Sequence, residues 1–387
     1  MGLEFLDYAP HPEKPLMKMP PFRISRRQFI CTGTQSLGLL AINSAASPFS
    51  LGKGPAPSKS GGSFTFAFMT DTHVDMKCSE ANLATMARWI VANKDPLKIC
   101  YVGHQGDVAD LRGSGEILEM LRMSRRALQS VADAGIPLSV AIGNHDYDVS
   151  SSTRPCQAFN QPDTFGMGFY ARKPWFGGTF ESETARGEAG ADPGGTANHY
   201  LVQTVSGQRM LFLALELFPR DKVLAWASNL VHHRFPEHDV IVITHAYLDD
   251  RSGQRCRGVP FDGFSRIPGG EYSNDGEEMW EKHLKTWRNL RLVTSGHFID
   301  GPRQSYLQQR GVHGNIAHAH FWNYQNWGFD NGSLVHTIRG GPNQASTLKL
   351  FKVQLPQNQV FMGNVLPPAP SDGERAYPDF YHYRMRA

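Results

Sequence analysis

The stretch Phe64–His73, FTFAFMTDTH, joins an apolar segment to a short polar cluster. Its first six residues are rich in phenylalanine and predict a β-strand. Asp71 and His73 follow at the end of that strand, and both carry side chains that bind metal ions. The same arrangement, an apolar strand followed at once by polar residues, returns several times along the chain.

Apolar strands alternate with amphipathic helices from residue 64 onward. Apolar residues between Leu83 and Ile90 recur at helical spacing on one face, and a second such helix lies between Ile117 and Gly135. The order strand, helix, strand, helix, strand predicts right-handed crossovers and a largely parallel sheet. We predict further strands at 99–102, 138–142, 210–216, 240–244 and 292–294, and we expect a last pair, 348–353 and 359–362, to close a second sheet.

Five of the predicted strands are each followed by a polar cluster. The clusters are Asp71-Thr72-His73, Gly106-Asp107-Val108-Ala109-Asp110, Gly143-Asn144-His145-Asp146, His245 and Gly296-His297. Because the carboxyl ends of strands in open α/β sheets converge on one crevice, we expect these side chains to meet. Carboxylate, imidazole and amide groups suit Fe, Mn or Zn. A carboxylate shared by two cations would hold them about 3.5–4 Å apart, a separation suited to phosphoryl transfer.

Each cluster taken alone has a simpler explanation. A Gly-Asp pair at a strand end is often only a turn, Asn144 also suits a turn, and His245 also suits a buried core position. With 16 histidines in the chain, an Asp-Thr-His match arises by chance as well. We prefer a metal site because five such clusters, in order and each behind an apolar strand, are not expected from independent accidents.

These motifs resemble those of the calcineurin-like metallophosphoesterase family, which are D-x-H, G-D-x-x-D, G-N-H-[DE], an isolated His and G-H-x-H, in that order. The resemblance runs from about Phe64 to Val353, with the first three motifs complete, His245 as the fourth and the fifth partial. It implies an α/β (α+β) fold, a four-layer αββα sandwich in which two mixed β-sheets are flanked by helices. It also implies hydrolysis of a phosphomonoester or phosphodiester by a metal-activated hydroxide.

The resemblance assigns roles residue by residue. Six residues match the family's metal ligands: Asp71 and His73 for the first metal, Asp107 shared by both, and Asn144, His245 and His297 for the second. His145 matches the proton-donating group near the leaving oxygen, with Asp146 holding its ring. Asp110 is expected to orient a ligand or cap a helix. The implied cofactors are divalent metal ions, two of them, with Mn, Fe or Zn favoured and Mg or Ca also tolerated.

The sequence departs from the family at Ile299, which stands where G-H-x-H has its second histidine, a ligand of the first metal. Isoleucine cannot coordinate a metal. Three outcomes stay open: another residue takes this place, water completes a looser site, or the centre holds one metal. Among the downstream histidines we favour His318 as the replacement ligand. Residues 314–325 resemble a bacterial branch of the family that also lacks this histidine.

The first residues predict an export signal. Arg26 and Arg27 precede an uncharged stretch, 31–46, that ends in small residues, as secretion signals do. The arginine pair resembles the twin-arginine export signal, which implies a periplasmic or secreted protein that meets an export machinery. The expected organisation is a signal peptide at 1–46, a linker at 47–62, a metallophosphoesterase domain at 63–365 and a C-terminal tail at 366–387.

Two further segments need an interpretation. Residues 148–200 form an insert without periodicity that is rich in aromatic residues. The insert is either a covering loop that packs its own aromatics or a lid that shapes the substrate pocket. The acidic residues of 275–278 are expected to favour the N-terminus of a helix rather than to bind metal.

The net charge and the distribution of apolar residues limit which kinds of partner the protein can be expected to bind. A net charge of +3 over 387 residues is too small to indicate nucleic acid or a membrane surface as a partner, and no apolar run beyond the N-terminal segment is long enough to span a bilayer. The expected partners are a phosphoester substrate and the export machinery. The alternative is a metal-containing binding module that has lost catalysis and recognises a ligand through the aromatic insert. A redox protein is disfavoured because no haem or cysteine-ligated copper motif is present.

Overall fold

A computed structural model describes residues 62–75, 79–110, 116–148, 156–184, 195–258, 266–267, 271–299, 304–325, 327–330, 333–336, 348–354, 358–366, 375–377 and 382–384. The predicted signal peptide, nearly all of the linker and most of the C-terminal tail lie outside these residues. The predicted domain boundaries therefore stay predictions.

Eighteen strands and seven α-helices follow one another within the described residues, with a π-helical turn at Leu230–Arg234 and a 3-10 turn at Leu284–Thr286. The strands are β1 (Ser63–Met69), β2 (Ile99–His104), β3 (Leu138–Val140), β4 (Phe176–Thr179), β5 (His199–Val205), β6 (Gln208–Ala214), β7 (Asp239–Ile243), β8 (Arg266–Ile267), β9 (Glu271–Tyr272), β10 (Leu290–Ser295), β11 (Gln304–Arg310), β12 (Ile316–Trp322), β13 (Trp327–Asp330), β14 (Ser333–His336), β15 (Leu348–Gln354), β16 (Gln359–Leu366), β17 (Arg375–Tyr377) and β18 (His382–Arg384). The helices are α1 (Ser79–Ala92), α2 (Lys94–Leu97), α3 (Ile117–Asp133), α4 (Met167–Tyr170), α5 (Phe180–Thr184), α6 (Asp221–Asn229) and α7 (Gly276–Lys282).

Two mixed sheets of seven strands form the centre of the fold. The first has the order β17-β16-β15-β1-β2-β3, with β18 also paired to β16. In it β1, β2 and β3 are parallel, and β15 joins β1 antiparallel. The second has the order β11-β12-β10-β7-β6-β5-β4, and its central strands β6, β7, β10 and β12 are parallel. Parallel order at the centre of each sheet sends the carboxyl ends of these strands to one edge.

The two sheets pack face to face through aromatic side chains. Tyr101 of the first sheet stacks on Phe212 of the second, with ring centroids 3.7 Å apart, and Phe66 meets the same ring edge-on at 5.5 Å. Phe68 meets Trp322 at 6.1 Å. These rings are buried, and aromatic pairs contribute about 0.5–1.5 kcal/mol each beyond the area they bury.

Helices cover the outer face of each sheet. On β6 and β7 alternate residues point to opposite sides, so that Phe212 and Ile241 join the core between the sheets while Leu211 and Val240 join a second core. That second core contains apolar residues of α6 and α7. The larger cluster, which includes the residues between the sheets, also contains buried residues of α1 and α3. The layers are helix, sheet, sheet and helix, and the predicted α/β sandwich with two mixed sheets is confirmed.

The last predicted strand pair belongs to a different sheet from the one expected. Strands β15 and β16 extend the first sheet beside β1, with Phe66 opposite Phe351, instead of closing the second. The reason is long-range pairing: an apolar strand carries no local mark of the edge it will join. Strands β4, β5, β11 and β12 were not predicted, and they complete the second sheet.

The described part of the insert packs its aromatic residues into the molecule. Phe159, Phe165, Phe169 and Tyr170 are buried and belong to the larger hydrophobic cluster of the molecule. This supports the covering-loop interpretation for residues 156–184. Within the part of the chain that the structure describes, no helix has the length and apolar character needed to cross a bilayer.

Candidate metal centre

The side chains with metal-binding chemistry lie where strands of both sheets end. They are Asp71 and His73 after β1, Asp107 and Asp110 after β2, Asn144 and His145 after β3, His245 after β7 and His297 after β10. Three groups of acidic and histidine side chains have ligand atoms within 4.8 Å of one another. The convergence predicted from the sequence therefore occurs.

The first group consists of Asp71, His73 and Asp107, all three buried. The Nε2 atom of His73 lies 3.8 Å from Oδ1 of Asp71 and 3.5 Å from Oδ2 of Asp107. The other carboxylate oxygen of Asp71 accepts hydrogen bonds from the Thr70 hydroxyl and from the backbone N–H of His297. Oδ1 of Asp71 has no hydrogen-bond partner, so it is available to a cation.

The second group consists of Asp107, His245 and His297. Nε2 of His245 lies 3.1 Å from Oδ2 of Asp107, the same oxygen that faces His73. Nδ1 of His245 is 2.9 Å from the carbonyl oxygen of Gln105, to which it donates, and this leaves Nε2 as the metal-facing nitrogen. One oxygen of Asp107 is therefore shared between two sets of ligands.

Asn144 lies between two residues that approach Asp107 closely, Gly143 and His145. The backbone N–H of its neighbour His145 donates to Oδ1 of Asp107 at 2.8 Å. Gly143, on the other side, approaches Asp107 so closely that an added Cβ would collide with the carboxylate. The side-chain oxygen of Asn144 is buried and has no hydrogen-bond partner. A buried amide oxygen without a donor is costly unless a cation or a water completes it.

The residues present fit a pair of divalent cations. Ligand atoms about 2.0–2.2 Å from one ion lie roughly 3–4 Å from each other, and the separations of 3.1, 3.5 and 3.8 Å among Asp71, His73, Asp107 and His245 are of this size. Unpartnered buried oxygen atoms on Asp71 and Asn144 point to the same conclusion. The donor set contains carboxylate, imidazole and amide groups, which suit Mn, Fe or Zn.

His145 is oriented by Asp110 and not by Asp146, which corrects the role that the sequence analysis gave to Asp146. Nδ1 of His145 lies 2.7 Å from Oδ1 of Asp110. The carboxylate of Asp146 instead accepts the backbone N–H groups of Ala109 and Gly143, each at 2.9 Å. Two backbone donors occupy Asp146, so it holds the loops after β2 and β3 together. Asp110 was expected to orient a metal ligand or cap a helix; its hydrogen bond instead orients His145, which is not among the predicted metal ligands.

Several of these residues have backbone conformations that L-amino acids rarely adopt. Asp71, His73, Asp107 and His297 have φ of 50°, 44°, 53° and 80°. Such conformations cost of order 1–3 kcal/mol each and persist where the surrounding structure enforces them, often at functional sites. Gly296 allows the close approach of these loops, since a Cβ there would collide with Thr70 and Asp71.

The electrostatics of the site favour bound positive charge. Burial opposes ionisation of Asp107, but the combined attraction of His245, His145 and His73 holds the pKa of this carboxyl well below its usual range. Burial also disfavours a positive charge on His245. The attraction of Asp107 and Asp71 is stronger than this effect of burial, so the pKa of His245 is raised to about 9. Burial, followed by the charge of His245, lowers the pKa of His297 to about 3. His297 is therefore a neutral imidazole, the form that binds metal.

His104 is hydrogen-bonded to the two loops that carry Asp71, His73 and Asp107. It is fully buried at the end of β2. Its Nδ1 accepts the backbone N–H of Gly106 at 3.3 Å, so Nε2 carries the proton and donates to the Thr72 hydroxyl at 2.9 Å. His104 thereby connects the loop of Asp71 and His73 to the loop of Asp107. The sequence pattern does not reveal this role, because a histidine at the end of an apolar strand has no distinctive spacing.

The structure places neither Ile299 nor His318 in the centre. Ile299 is 48% exposed. His318 lies within β12 beside Leu292 of β10, several residues before the strand end that carries His297, and its Nδ1 is hydrogen-bonded to the Tyr306 hydroxyl at 2.8 Å. Among the described residues, none of the three groups includes His318.

Comparisons with known proteins identify the family. A family model described as calcineurin-like phosphoesterase matches residues 64–300, which is more than half of the chain. The comparison with curated proteins gives no match. Among solved structures, "GAP50 the anchor in the inner membrane complex of Plasmodium" is 9% identical, with 84% of this chain and 89% of that chain covered and a TM-score of 0.37. We draw nothing from a likeness at that TM-score. On its family match and its buried carboxylate and histidine groups, the chain belongs to the calcineurin-like phosphoesterase family and is, in general terms, a metal-dependent hydrolase of phosphoesters.

Proposed function

We propose that the protein is an exported phosphoesterase that hydrolyses a phosphomonoester or phosphodiester with two divalent cations. One observation carries the two-cation proposal: Oδ2 of Asp107 faces Nε2 of His73 at 3.5 Å and Nε2 of His245 at 3.1 Å. A buried carboxylate oxygen between two imidazoles, each with a further ligand beside it, has the arrangement of a carboxylate that bridges two metal ions.

Six side chains would hold the cations: Asp71, His73, Asp107, Asn144, His245 and His297. When bound, the cations supply Lewis-acid chemistry, polarising the phosphoryl group and lowering the pKa of water. The protein contributes orientation. Asp71 is oriented by Thr70 and the His297 backbone, and His245 by the carbonyl group of Gln105.

His145 donates the proton to the leaving oxygen of the ester. Its Nδ1 is engaged by Asp110 at 2.7 Å, which fixes the ring and leaves Nε2 for the substrate. The ring lies edge-on to His73, with centroids 4.7 Å apart, so it is beside the metal centre. A proton donor oriented by a carboxylate is a common arrangement in general acid catalysis.

The substitution Asp107→Asn tests the proposal. An amide binds cations more weakly than a carboxylate and carries no charge, so the variant is expected to lose metal, measured as metal per chain by mass spectrometry, and most of its activity on aryl phosphates and aryl phosphodiesters. Asp95→Asn, at an exposed position on α2, is the matched control and should change neither. Unchanged metal content in Asp107→Asn would contradict the bridging role.

The alternative function is a binding module that keeps metal and has lost catalysis. Ile299 favours it, because a family ligand is missing there. The oriented pair of His145 and Asp110 argues for catalysis, because these residues belong neither to the group of Asp71, His73 and Asp107 nor to that of Asp107, His245 and His297. With His73 they form the third group. Metal-loaded protein without turnover on a panel of phosphomonoesters and phosphodiesters would favour the binding module.

Export rests on the sequence of residues 1–46. We infer that the arginine pair Arg26-Arg27 directs the chain to a twin-arginine export route and that the protein acts in the periplasm or outside the cell. Replacing both arginines with lysine should retain the chain in the cytoplasm, whereas Arg23→Lys should not. Equal export of both forms, measured by cell fractionation, would exclude this route.

A further inference from the structure

The end of strand β12 carries buried polar atoms that have no role in the proposed metal centre. They are Nε1 of Trp322, Nδ2 of Asn323 and Oε1 of Gln325, and no described residue forms a hydrogen bond with any of them. The residues that carry these atoms are 0%, 4% and 6% exposed. Buried polar groups in proteins are almost always hydrogen-bonded, and leaving one unpaired is costly. Three such atoms in one short segment therefore require a partner that the described residues do not supply.

The segment leaves the second sheet at the same edge as the metal-ligand candidate His297. Strands β10 and β12 are parallel neighbours, and their last paired residues are Ser295 and Phe321. His297 is the second residue after that pair on one strand, and Asn323 is the second residue after it on the other. Neighbouring strands of a sheet lie about 4.7–4.9 Å apart, so the two loops begin side by side.

Contacts with the first sheet show which side of the metal centre the segment borders. The ring of Trp322 meets the ring of Phe68 at 6.1 Å, and Phe68 lies in β1, three residues before Asp71. Gly296, at the end of the neighbouring strand β10, is so close to Asp71 that an added Cβ would lie 2.2 Å from its Oδ2. The end of β12 therefore borders the Asp71 side of the centre, within reach of the alcohol part of an ester bound there.

The two donors of the segment are held in place before any ligand arrives. Oδ1 of Asn323 accepts the backbone N–H of Gln325 at 2.9 Å, which identifies the other side-chain atom of Asn323 as the amide nitrogen. The indole of Trp322 packs against Phe351, with ring centroids 6.3 Å apart, and Nζ of Lys349 lies 5.2 Å from the centroid of the indole. Donors that are already ordered lose little conformational entropy on binding, which favours specific recognition.

The three atoms differ in hydrogen-bonding character, and this limits the chemistry of their partner. An indole N–H and an amide NH₂ donate, whereas the amide oxygen of Gln325 accepts. An anionic carboxylate or phosphate only accepts hydrogen bonds, so it would leave that oxygen unpaired. An aryl or alkyl group would leave all three atoms unpaired. Hydroxyl groups both donate and accept, so a group with several hydroxyls satisfies the whole set.

We propose, on the basis of the phosphoesterase function above, that Trp322, Asn323 and Gln325 bind the alcohol part of the substrate and that this alcohol is a polyol. These residues determine specificity and take no part in the chemical step. A site built to hydrogen-bond a substrate hydroxyl discriminates against an analogue that lacks it, because the buried groups of the site are then left unpaired. Phosphate esters of glycerol, sugars or inositol are the expected class of substrate.

Matched pairs of esters test this inference on the metal-loaded protein. Glycerol phosphate is compared with propyl phosphate, and inositol monophosphate with cyclohexyl phosphate, together with the methyl diester of each. Within each pair only the hydroxyl groups of the alcohol differ. For the type of ester that the protein cleaves, kcat/KM is expected to be about tenfold or more higher for the polyol ester than for its matched partner.

Two substitutions in the segment test the residues themselves. Gln325→Met removes the acceptor and keeps the length of the side chain, and Trp322→Phe removes one donor and keeps an aromatic ring. In each variant kcat/KM for polyol esters should fall about tenfold. The values for propyl and cyclohexyl esters should stay at those of the parent, which also shows that the variant is folded. Gln308→Met is the matched control, because Gln308 is exposed on the neighbouring strand β11, and it should change neither value.

The outcomes separate this inference from the proposed function. If no polyol ester is cleaved faster than its matched partner, the preference for a polyol is overturned and the phosphoesterase function stands. If the preference exists and persists in both Gln325→Met and Trp322→Phe, the segment does not bind the alcohol, and ordered water alone satisfies its polar atoms. If the metal-loaded protein cleaves neither these esters nor aryl phosphates, the proposed function itself is overturned.

Discussion

At the scale of single residues, the chemistry depends on which atom of each side chain is already occupied. Asp71, His245 and His145 each use one atom for a hydrogen bond within the protein and present the other toward the centre. Such partners fix ring orientation and tautomer before a ligand arrives. Residue types alone predict a metal site, and these hydrogen bonds decide how its ligands are oriented.

His145→Ala is expected to lower the rate of ester hydrolysis about 10²–10⁴-fold while metal content persists, because proton transfer to the leaving oxygen is lost. The measurements are kcat on an aryl phosphate and metal per chain on the same sample. His313→Ala, an exposed histidine, is the control and should match the parent protein. A rate for His145→Ala equal to that of the parent would show that His145 is not the proton donor.

Thr72→Val is expected to weaken Mn²⁺ binding at the position of Asp71 and His73 by about 10–100-fold, because it removes the hydroxyl that bonds His104. It also leaves the buried Nε2–H of His104 without this acceptor, at a cost of about 1–3 kcal/mol in the free energy of unfolding. Mn²⁺ titration and denaturant unfolding measure the two effects. Thr85→Val, on α1, should alter only local helix contacts. If Thr72→Val bound Mn²⁺ as tightly as the parent protein, the hydrogen bond between Thr72 and His104 would not position the metal ligands.

At the scale of elements, the order of strands and helices was largely predictable. Strands β1, β2, β7 and β10 are apolar runs bounded by polar residues, and α1 and α3 show helical spacing of apolar residues. Strand β11, QSYLQQR, was missed because it is an edge strand whose exposed face is polar. Strand β12 was missed because its buried histidines hid an otherwise apolar run.

The N-terminus of helix α7 bears on the prediction that the acidic residues of 275–278 favour the start of a helix. Asp275 caps its N-terminus by accepting the backbone N–H of Glu278, and Glu278 returns a bond to the backbone of Asp275. The expectation that these acids favour a helix start is confirmed. Asp275→Ala should lower the free energy of unfolding by about 1 kcal/mol, measured by denaturant titration, with metal content unchanged. Glu281→Ala removes only an exposed pair with Lys285 and should cost less than about 0.5 kcal/mol. A loss of bound metal in Asp275→Ala would contradict a purely structural role.

At the scale of the whole molecule, burial of ionisable groups couples stability to pH. Burial lowers the pKa of His199 to about 4, so the unfolded chain binds a proton at this residue between pH ~6.5 and ~4 that the folded protein does not. His199 therefore does not change the free energy of unfolding above pH ~6.5, and it lowers that free energy below pH ~6.5. Burial raises the pKa of Glu181 to about 7. The folded protein keeps that proton between pH ~4.5 and ~7, so Glu181 acts in the opposite direction.

The contribution of His199 is therefore measured as a difference between variants. Metal-free parent protein and His199→Gln are unfolded with denaturant at pH 7 and at pH 5. The parent should lose up to about 2 kcal/mol more than the variant between these values, because only the parent carries the histidine that must stay uncharged in the fold. An equal loss in both proteins would show that His199 does not resist protonation.

The sequence by itself determined the family, the order of the main strands and the residue types of the metal centre. These follow from short local patterns, because each ligand cluster directly follows an apolar strand. The tertiary structure decided which atoms meet: that Oδ2 of Asp107 faces both His73 and His245, that Asp110 and not Asp146 orients His145, and that His318 is held away by Tyr306. Contacts in the centre join residues up to 226 positions apart, as the backbone N–H of His297 and the carboxylate of Asp71 show. Strand pairing across two sheets sets such distances, and no local pattern encodes them.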